Sequence, residues 1–253
     1  MLTTNVAVIL AAGLGTRLSV VSGYLPKPLV TFEGRPMLEH VMSRAKQAGI
    51  ERFVIVTGHQ GKMVSRWFEH SSLRNTPVTW VQNHDYHMKN GISLLQARPV
   101  VNGPFLLLMS DHIFQAETAA SLLRQRLAPN EAILAVDHKL DCIFDLDDAT
   151  KVVCMGEYVL RIGKNLTRYH AADTGMFLCS PAVFDALDAV VKDGDCSLSD
   201  GMQYLASNRK LRAYDIGDAV WQDIDTPEML EFAEVQLSRQ SAQVQGQEGV
   251  ARA

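Results

Sequence analysis

LAAGLGTRLSVVSGYLPKPLV, from Leu10 to Val30, opens with a G-x-G pair, Gly13 and Gly15, and also carries two cations, Arg17 and Lys27, the second between two prolines. The apolar run before the glycines, Val6 to Ala12, predicts a buried strand, so the glycines should lie on the loop at its carboxyl end. Ligands of open α/β sheets bind at that edge. Glycines let backbone N–H groups approach an anion, and the two cations can neutralise phosphate oxygens. The stretch therefore predicts a phosphate-binding loop.

Two common nucleotide-binding loops do not fit this spacing. A Rossmann dinucleotide fingerprint needs a third glycine where Leu18 stands, and a P-loop needs Gly-Lys-Ser/Thr at the start of its helix. A G-x-G pair alone is equally typical of a structural tight turn. The Thr-Arg that follows and the later PKPL make phosphate binding the more specific interpretation.

Segments with strand and helix patterns alternate downstream of the loop. Strands are predicted for NVAVILAA, RFVIVTG, PVTWVQN, GPFLLLMSDH and EAILAVD, and helices for PMLEHVMSRAKQAGI, with Pro36 in its first turn, GKMVSRWFEH and AETAASLLRQRLA. This order predicts an α/β fold with a Rossmann-like, doubly wound, mostly parallel sheet. From about Asp141, TKVVCMGEYVLRIGK predicts a hairpin and DTGMFLCS one more strand, which together form a small antiparallel insertion. Helices are expected from Pro181, Ser197 and Thr226.

Composition limits the classes of function. The 253 residues carry a formal net charge of −4, which gives no general attraction for nucleic acid or an anionic membrane. The sequence has neither a transmembrane pattern nor a signal-peptide pattern, so we expect a cytoplasmic protein that is not membrane-embedded. The spacing of the four cysteines favours unpaired thiols. We expect a single domain over residues 1–237 and a polar, disordered tail over 238–253.

The quoted stretch also resembles a known family. LAAGLGTRL…PKPLV is similar to the signature of the sugar-phosphate nucleotidyltransferases, which join a nucleoside triphosphate to a phosphorylated alcohol or sugar and release pyrophosphate. The resemblance continues through NGISLLQA, MSDHIF, ATKV, IGKNL, DTGMF and WQDIDTPEML, over about residues 5 to 235. DHIF, ATKV…IGKNL and WQDIDT are most similar to the inositol-1-phosphate cytidylyltransferases. The resemblance implies the nucleotide-diphospho-sugar transferase fold and CDP-inositol as the product of CTP and inositol 1-phosphate.

Such a reaction brings anions together, so it should depend on positioning and charge neutralisation, with Mg²⁺ held by one or two carboxylates. Asp111 follows a wholly apolar strand, which places it at the carboxyl edge of the sheet. Asp223 stands after Trp-x, where related enzymes place a metal ligand. Asp225 is the second choice, since it also suits the start of the helix expected at Thr226. A strand register shifted by two residues would exchange the roles of Asp223 and Asp225.

The resemblance also implies the other site residues. It places Arg17, Lys27, Lys151 and Lys164 among the catalytic cations, the last two near the attacking phosphate, and Asp173 at the hydroxyls of the acceptor. For the nucleotide it implies Leu10, Ala11, Gly13, Gly15, Thr16, Asn83, Asn90, Gly91 and Ser93. Without the resemblance, the hairpin lysines are typical of solvated surface, and Asn83 of a turn.

Alternatives stay open at this point. Tyr158, Tyr169 and Trp221 could surround a quaternary ammonium, so phosphocholine is a rival acceptor, as is a sugar 1-phosphate; CTP is chosen over UTP on the resemblance alone. A non-catalytic nucleotide-sensing module is expected to lack at least one of Arg17, Lys27, Asp111 and Asp223, and all four are present. In related systems a membrane enzyme consumes the CDP-alcohol, so the resemblance implies a membrane CDP-alcohol phosphatidyltransferase as partner; a homodimer is compatible with it.

Overall fold

The computed structural model describes residues 4–19 and 25–235, and its centre is a nine-stranded mixed sheet. The strands are β1 (Val6–Ala11), β2 (Thr31–Phe32), β3 (Arg35–Pro36), β4 (Arg52–Thr57), β5 (Val78–Gln82), β6 (Phe105–Met109), β7 (His112–Phe114), β8 (Ala132–Asp137), β9 (Lys151–Met155), β10 (Tyr158–Gly163), β11 (Ala171–Cys179), β12 (Leu211–Asp215) and β13 (Trp221–Asp223). The α-helices are α1 (Thr16–Ser19), α2 (Met37–Gln47), α3 (Gly61–His70), α4 (Asn90–Leu95), α5 (Ala116–Leu123), α6 (Ala182–Asp188), α7 (Leu198–Ser207) and α8 (227–235).

The order of strands in the main sheet is β5-β4-β1-β6-β11-β8-β12-β10-β9. Strands β5, β4, β1 and β6 are parallel, as the sequence predicted. Strand β11, which the sequence grouped with the hairpin in a small antiparallel insertion, lies in the main sheet between β6 and β8 and is antiparallel to both. Eight of its nine residues are buried, and a strand buried on both faces suits the centre of a sheet. The predicted hairpin of β9 and β10 is confirmed, and β9 also pairs with the first residues of β11.

Helices cover both faces of the sheet because successive strand residues point to opposite sides. Val8 and Leu10 of β1 pack into a core with residues of α4, α6 and α7. Ala7 and Ile9 pack on the other face with residues of α2, α3 and α5. A third, smaller apolar cluster joins Leu18 to residues of β7 and of the chain after β13. This cluster holds the glycine-rich loop against the strands that carry the acidic residues.

Local signals fix several helix starts. Ser197 caps α7 in a reciprocal capping box with Asp200, and the Thr226 hydroxyl accepts from the Met229 N–H at 3.3 Å where α8 begins. Pro36 lies before α2, not in its first turn, because it pairs with Thr31 in the short β2–β3 hairpin. The pairing of β7 with β13, and strand β12, were not predicted.

Some predictions fall outside what the structure tests. The tail expected to be disordered, 238–253, lies outside the described residues, as do residues 20–24 of the opening loop, and the single domain over 1–237 stays a prediction. All four cysteines are free, as their spacing predicted. Within the described part of the chain, no helix has both the length and the apolar character needed to cross a bilayer.

Candidate active site

Three adjoining cavities open at the carboxyl ends of β1 and β6, and Asp111 lines all of them. The β1 cavity, about 170 Å³, is bounded mainly by Leu10, Ala11, Gly13, Tyr86, Asn90, Ser93 and Met109. The loop cavity, about 270 Å³, is bounded by Gly13, Gly15, Arg17, Lys27, Asp111 and Asp225. The β11 cavity, about 240 Å³, includes His112, Asp148, Lys164, Asp173, Trp221, Asp223 and Asp225. Most of the predicted site residues therefore meet in one cleft.

The glycine-rich loop is shaped around Lys27. Gly15 has a φ of +61°, and a Cβ atom there would lie 2.5 Å from the Cβ of Lys27, so no larger residue fits without a shift. Thr16 begins α1 directly after this glycine. Nothing lies within 4 Å of the position that a Cβ of Gly13 would take, so the backbone there is open to the cavities. The loop therefore brings its glycine backbone and Lys27 to the same cavity.

Lys27 is only 7% exposed and forms ion pairs with both Asp111 and Asp225. Burial would lower the pKa of Lys27, but the two carboxylates outweigh burial and raise it above its ordinary value. Lys27 in turn holds the pKa of Asp111 below its ordinary value against the opposing effect of burial. The lysine therefore stays charged at the meeting point of the cavities.

Arg17 extends this ion-pair network towards the hairpin. Its Nη2 lies 2.7 Å from Asp225 Oδ2, and both terminal nitrogens lie 3.3 Å from Asp148 Oδ2. Lys164 approaches the other oxygen of Asp148, with its Nζ 2.6 Å from Oδ1. Carboxylates therefore occupy the donors of all three cations, Arg17, Lys27 and Lys164, in a cleft that could bind phosphates. Phosphate oxygens can form the same charge-assisted bonds.

The pairing of β7 with β13 brings the acidic residues together. Asp111 lies in the turn between β6 and β7, and the register places Asp223 opposite His112, the next residue. The Ile224 N–H also donates to the Asp111 carbonyl at 3.0 Å. Burial, with the nearby carboxylates of Asp225 and Asp111, raises the pKa of Asp223 above its ordinary value. Within residues 4–19 and 25–235, no group of three or more His, Cys, Asp or Glu side chains forms a ready-made metal site.

Asp223 and Asp225 differ in what they contact. Both oxygens of Asp225 are paired with cations, Lys27 and Arg17. Asp225 therefore joins the ion-pair network in addition to lying just before the start of α8. Asp223 Oδ1 accepts from the Gln222 side chain at 2.9 Å. Its second oxygen has no hydrogen-bond partner in the described chain, and Asp223 lines the β11 cavity. Of the two, Asp223 has the free oxygen.

His112 is a site residue that the sequence reasoning missed. Its Nδ1 lies 2.8 Å from the Thr174 carbonyl, so this nitrogen carries the proton and donates, and Nε2 lies 3.8 Å from Asp111 Oδ1. The ring stacks on Trp221 with centroids 5.8 Å apart. The sequence feature that could have identified it is its position directly after Asp111 in MSDHIF, beyond an apolar strand. It fills the space between the acidic turn and β11.

Lys151 and Asp173 lie differently around the β11 cavity. Asp173 lines it, and its Oδ1 accepts from the Gly175 N–H at 2.7 Å. Burial raises the pKa of Asp173 to about 6. Lys151 does not line the cavity: it is buried, and its Nζ donates to the backbone carbonyls of Asp147 and Ala149 at 2.7 and 3.2 Å. The structure therefore brings Asp173 to the cleft, and Lys151 only to the chain that borders it.

Two predicted nucleotide residues also lie behind the wall of the β1 cavity. Asn83 is fully buried: its Nδ2 donates to Ser93 Oγ at 2.9 Å, and its Oδ1 accepts from the Asp85 N–H. Gly91 packs so closely on the chain just before α7 that a Cβ would lie 2.5 Å from the Cys196 carbonyl oxygen. Ser93 itself lines the cavity, and it lies in α4. Asn83 and Gly91 support the residues that face the cavity.

Comparison with known proteins identifies the family. A model described as the MobA-like NTP transferase domain matches residues 7–249. The chain belongs to the MobA-like NTP transferase family. It is 36% identical over 230 residues to the bifunctional IPC transferase and DIPP synthase of Rubrobacter xylanophilus, covering 90% of this chain and 51% of that protein. It is 32% identical over 248 residues to the protein of that name from Thermococcus kodakarensis, covering 97% and 54%.

This MobA-like NTP transferase also matches a solved structure closely. The structure of the inositol-1-phosphate CTP transferase from T. maritima superposes with a TM-score of 0.82 at 25% identity, covering 92% of this chain and 97% of that one. The fold is therefore that of the nucleotide-diphospho-sugar transferases, and the protein is a nucleotidyltransferase, as the sequence resemblance implied. The chain spans about half the length of the curated relatives it matches.

Proposed function

We propose that this nucleotidyltransferase transfers CMP from CTP to inositol 1-phosphate, giving CDP-inositol and pyrophosphate. The observation that carries the proposal is the set of three adjoining cavities that share Asp111. One is lined mainly by uncharged residues that include Asn90 and Ser93, one by a glycine loop with two cations, and one by residues that include Lys164 and Asp173. The match to the inositol-1-phosphate CTP transferase, together with the relatives named IPC transferase and DIPP synthase, supports the choice of acceptor.

The β1 cavity suits the base and ribose of the nucleotide. Its wall is the end of β1, Leu10 and Ala11, with Ser93 and Asn90 on the facing helix. Backbone groups, a hydroxyl and an amide recognise the edge of a pyrimidine without adding net charge. Asn83 would hold the Ser93 hydroxyl in place, and so would act on the nucleotide through Ser93.

The loop cavity suits the triphosphate. An oxygen of the acceptor phosphate attacks the α-phosphorus of CTP; the new phosphorus–oxygen bond forms as the bond to the bridging oxygen of pyrophosphate breaks. Arg17 and Lys27 border this cavity and can neutralise the charge on the departing pyrophosphate. Lys164 faces the neighbouring cavity, where it can hold the attacking phosphate, and Asp173 can accept hydrogen bonds from ring hydroxyls.

The chemistry of the donors fits Mg²⁺, which is usually held by one or two carboxylates with phosphate oxygens and water completing the shell. Asp111 and Asp223 would hold it: one oxygen of Asp223 is free, and burial, together with the neighbouring Asp225 and Asp111 carboxylates, raises the pKa of Asp223. Bound Mg²⁺ would supply positive charge to the reacting phosphate oxygens. Asp225 is the less suitable ligand because Lys27 and Arg17 occupy both its oxygens.

Pyrophosphate release tests the proposal directly. CTP and UTP are each offered with inositol 1-phosphate, phosphocholine and glucose 1-phosphate in the presence of Mg²⁺. We expect the CTP and inositol 1-phosphate pair to give the highest kcat/KM, Lys27→Met to lose this activity, and the exposed control Lys62→Met to keep it. The absence of release with inositol 1-phosphate from an otherwise active enzyme would show that the acceptor is wrong. A membrane enzyme that consumes the product, a homodimer and a cytoplasmic location remain predictions.

A further inference from the structure

Asp148 bridges two cations that belong to different cavities. One carboxylate oxygen lies 3.3 Å from both terminal nitrogens of Arg17, which borders the loop cavity. The other lies 2.6 Å from Nζ of Lys164, which borders the β11 cavity. Asp148 therefore lies at the junction where a nucleotide phosphate and an acceptor phosphate would have to meet.

The backbone around Asp148 is held from behind. The buried Nζ of Lys151 donates to the carbonyls of Asp147 and Ala149, the residues on either side. The Asp148 N–H donates to Asp145 Oδ1 at 3.1 Å, and the Ala149 N–H donates to the Asp145 carbonyl at 3.1 Å. These bonds fix the main chain without using the Asp148 side chain. The carboxylate can therefore leave the two cations while the backbone stays in place.

The Asp148 carboxylate also remains ionised. Partial burial acts to raise its pKa, but Lys164 and Arg17 outweigh burial and lower the pKa below its ordinary value. A carboxylate and a phosphate both present two closely spaced anionic oxygens to such donors. A phosphate dianion carries the greater charge, so it can displace the carboxylate, whereas a carboxylate ligand or an uncharged alcohol gains little from the exchange.

We propose that Asp148 is an internal stand-in for substrate phosphate that sets substrate specificity: it occupies Arg17 and Lys164 in the free enzyme, and only a phosphate displaces it. This inference rests on the proposed function, because it assigns both cations to phosphates. Lys151 is then a positioning residue for the segment that carries Asp148. Each substrate binds with the cost of breaking one side of this bridge, so Asp148 weakens phosphate binding while favouring phosphates over weaker anions.

The test compares Asp148→Asn with Asp147→Asn, which removes the same charge from an exposed neighbour that forms no ion pair within the described chain. Calorimetry measures the binding of inorganic pyrophosphate with Mg²⁺ fixed, at low and at high ionic strength. We expect Asp148→Asn to bind pyrophosphate about two- to tenfold more tightly than Asp147→Asn at low salt, the range that two partly exposed ion pairs allow. The gain should shrink at high salt because the competing pairs are screened.

Steady-state kinetics give a second readout. Asp148→Asn should lower KM for inositol 1-phosphate with a smaller change in kcat, and Asp148→Ala should repeat the effect. Equal or weaker pyrophosphate binding by Asp148→Asn, or a raised KM, would overturn the inference, since a residue that binds substrate or only stabilises the fold behaves in that way. If the wild type binds pyrophosphate but does not use inositol 1-phosphate, the acceptor assignment fails, and the pyrophosphate comparison still decides the role of Asp148.

Discussion

Replacing Asp173 by asparagine should stabilise the protein at neutral pH while weakening its reaction. The carboxyl lies at the β11 cavity, and burial raises its pKa from 3.8 to about 6. Ionising it in the folded protein at neutral pH therefore costs about 3 kcal/mol relative to the unfolded chain. Asparagine removes this cost, and its side-chain oxygen can keep the 2.7 Å bond from the Gly175 N–H.

The sign of the pH dependence follows from the direction of the change in pKa. A carboxyl with a raised pKa is protonated in the folded state before it is protonated in the unfolded chain, so the wild type loses stability as pH rises through the window from about 4 to about 6. The advantage of Asp173→Asn should therefore be small near about pH 4 and reach about 2 to 3 kcal/mol above about pH 7. For a domain of this size, that corresponds to a rise in Tm of about 4 to 10 °C.

Urea denaturation at both ends of this window measures the effect, with Asp147→Asn as the control for losing an exposed carboxylate. The control should show a much smaller pH-dependent difference from the wild type. In the same preparations, kcat/KM for inositol 1-phosphate should fall about five- to thirtyfold for Asp173→Asn, the loss of one or two hydrogen bonds to a charged acceptor. A stability difference that is the same at both pH values would refute the reasoning, because it would mean that the ionisation of Asp173 is not what costs stability.

Three further predictions concern the cation, the loop and the metal. Lys27→Met should lose about 3 kcal/mol of stability at neutral pH, since it leaves Asp111 without its lysine partner and Asp225 with Arg17 alone; chemical denaturation beside Lys62→Met measures this, and equal stabilities would contradict it. Gly15→Ala should cost about 1 to 2 kcal/mol of stability because of its positive φ, and the added Cβ should also displace Lys27. Both the Tm and the turnover rate should therefore fall. An unaffected turnover rate would show that the loop tolerates a Cβ. Chelation of Mg²⁺ should abolish turnover. Asp223→Asn should raise the Mg²⁺ concentration that gives the half-maximal rate about tenfold or more. An unchanged Mg²⁺ requirement would show that Asp223 is not a metal ligand.

The sequence by itself determined the alternation of strands and helices and the edge at which the site lies. The apolar runs that end at Ala11 and Met109 are parallel neighbours in the structure, and the glycine loop and Asp111 follow them directly. Such positions can be predicted because strand periodicity is local and because parallel strands end at one edge of the sheet.

Only the tertiary structure decided which charges meet. Lys27 pairs with Asp111 and Asp225, 84 and 198 residues further along the chain, and Arg17 meets Asp148 across 131 residues. It also decided that β11 enters the centre of the sheet, that Lys151 holds backbone carbonyls, and that His112 fills the site. No local pattern encodes these contacts, because they depend on how β7, β13 and the hairpin pack on one another. The opening stretch therefore predicted a phosphate loop, and the fold supplied the carboxylates that occupy its cations.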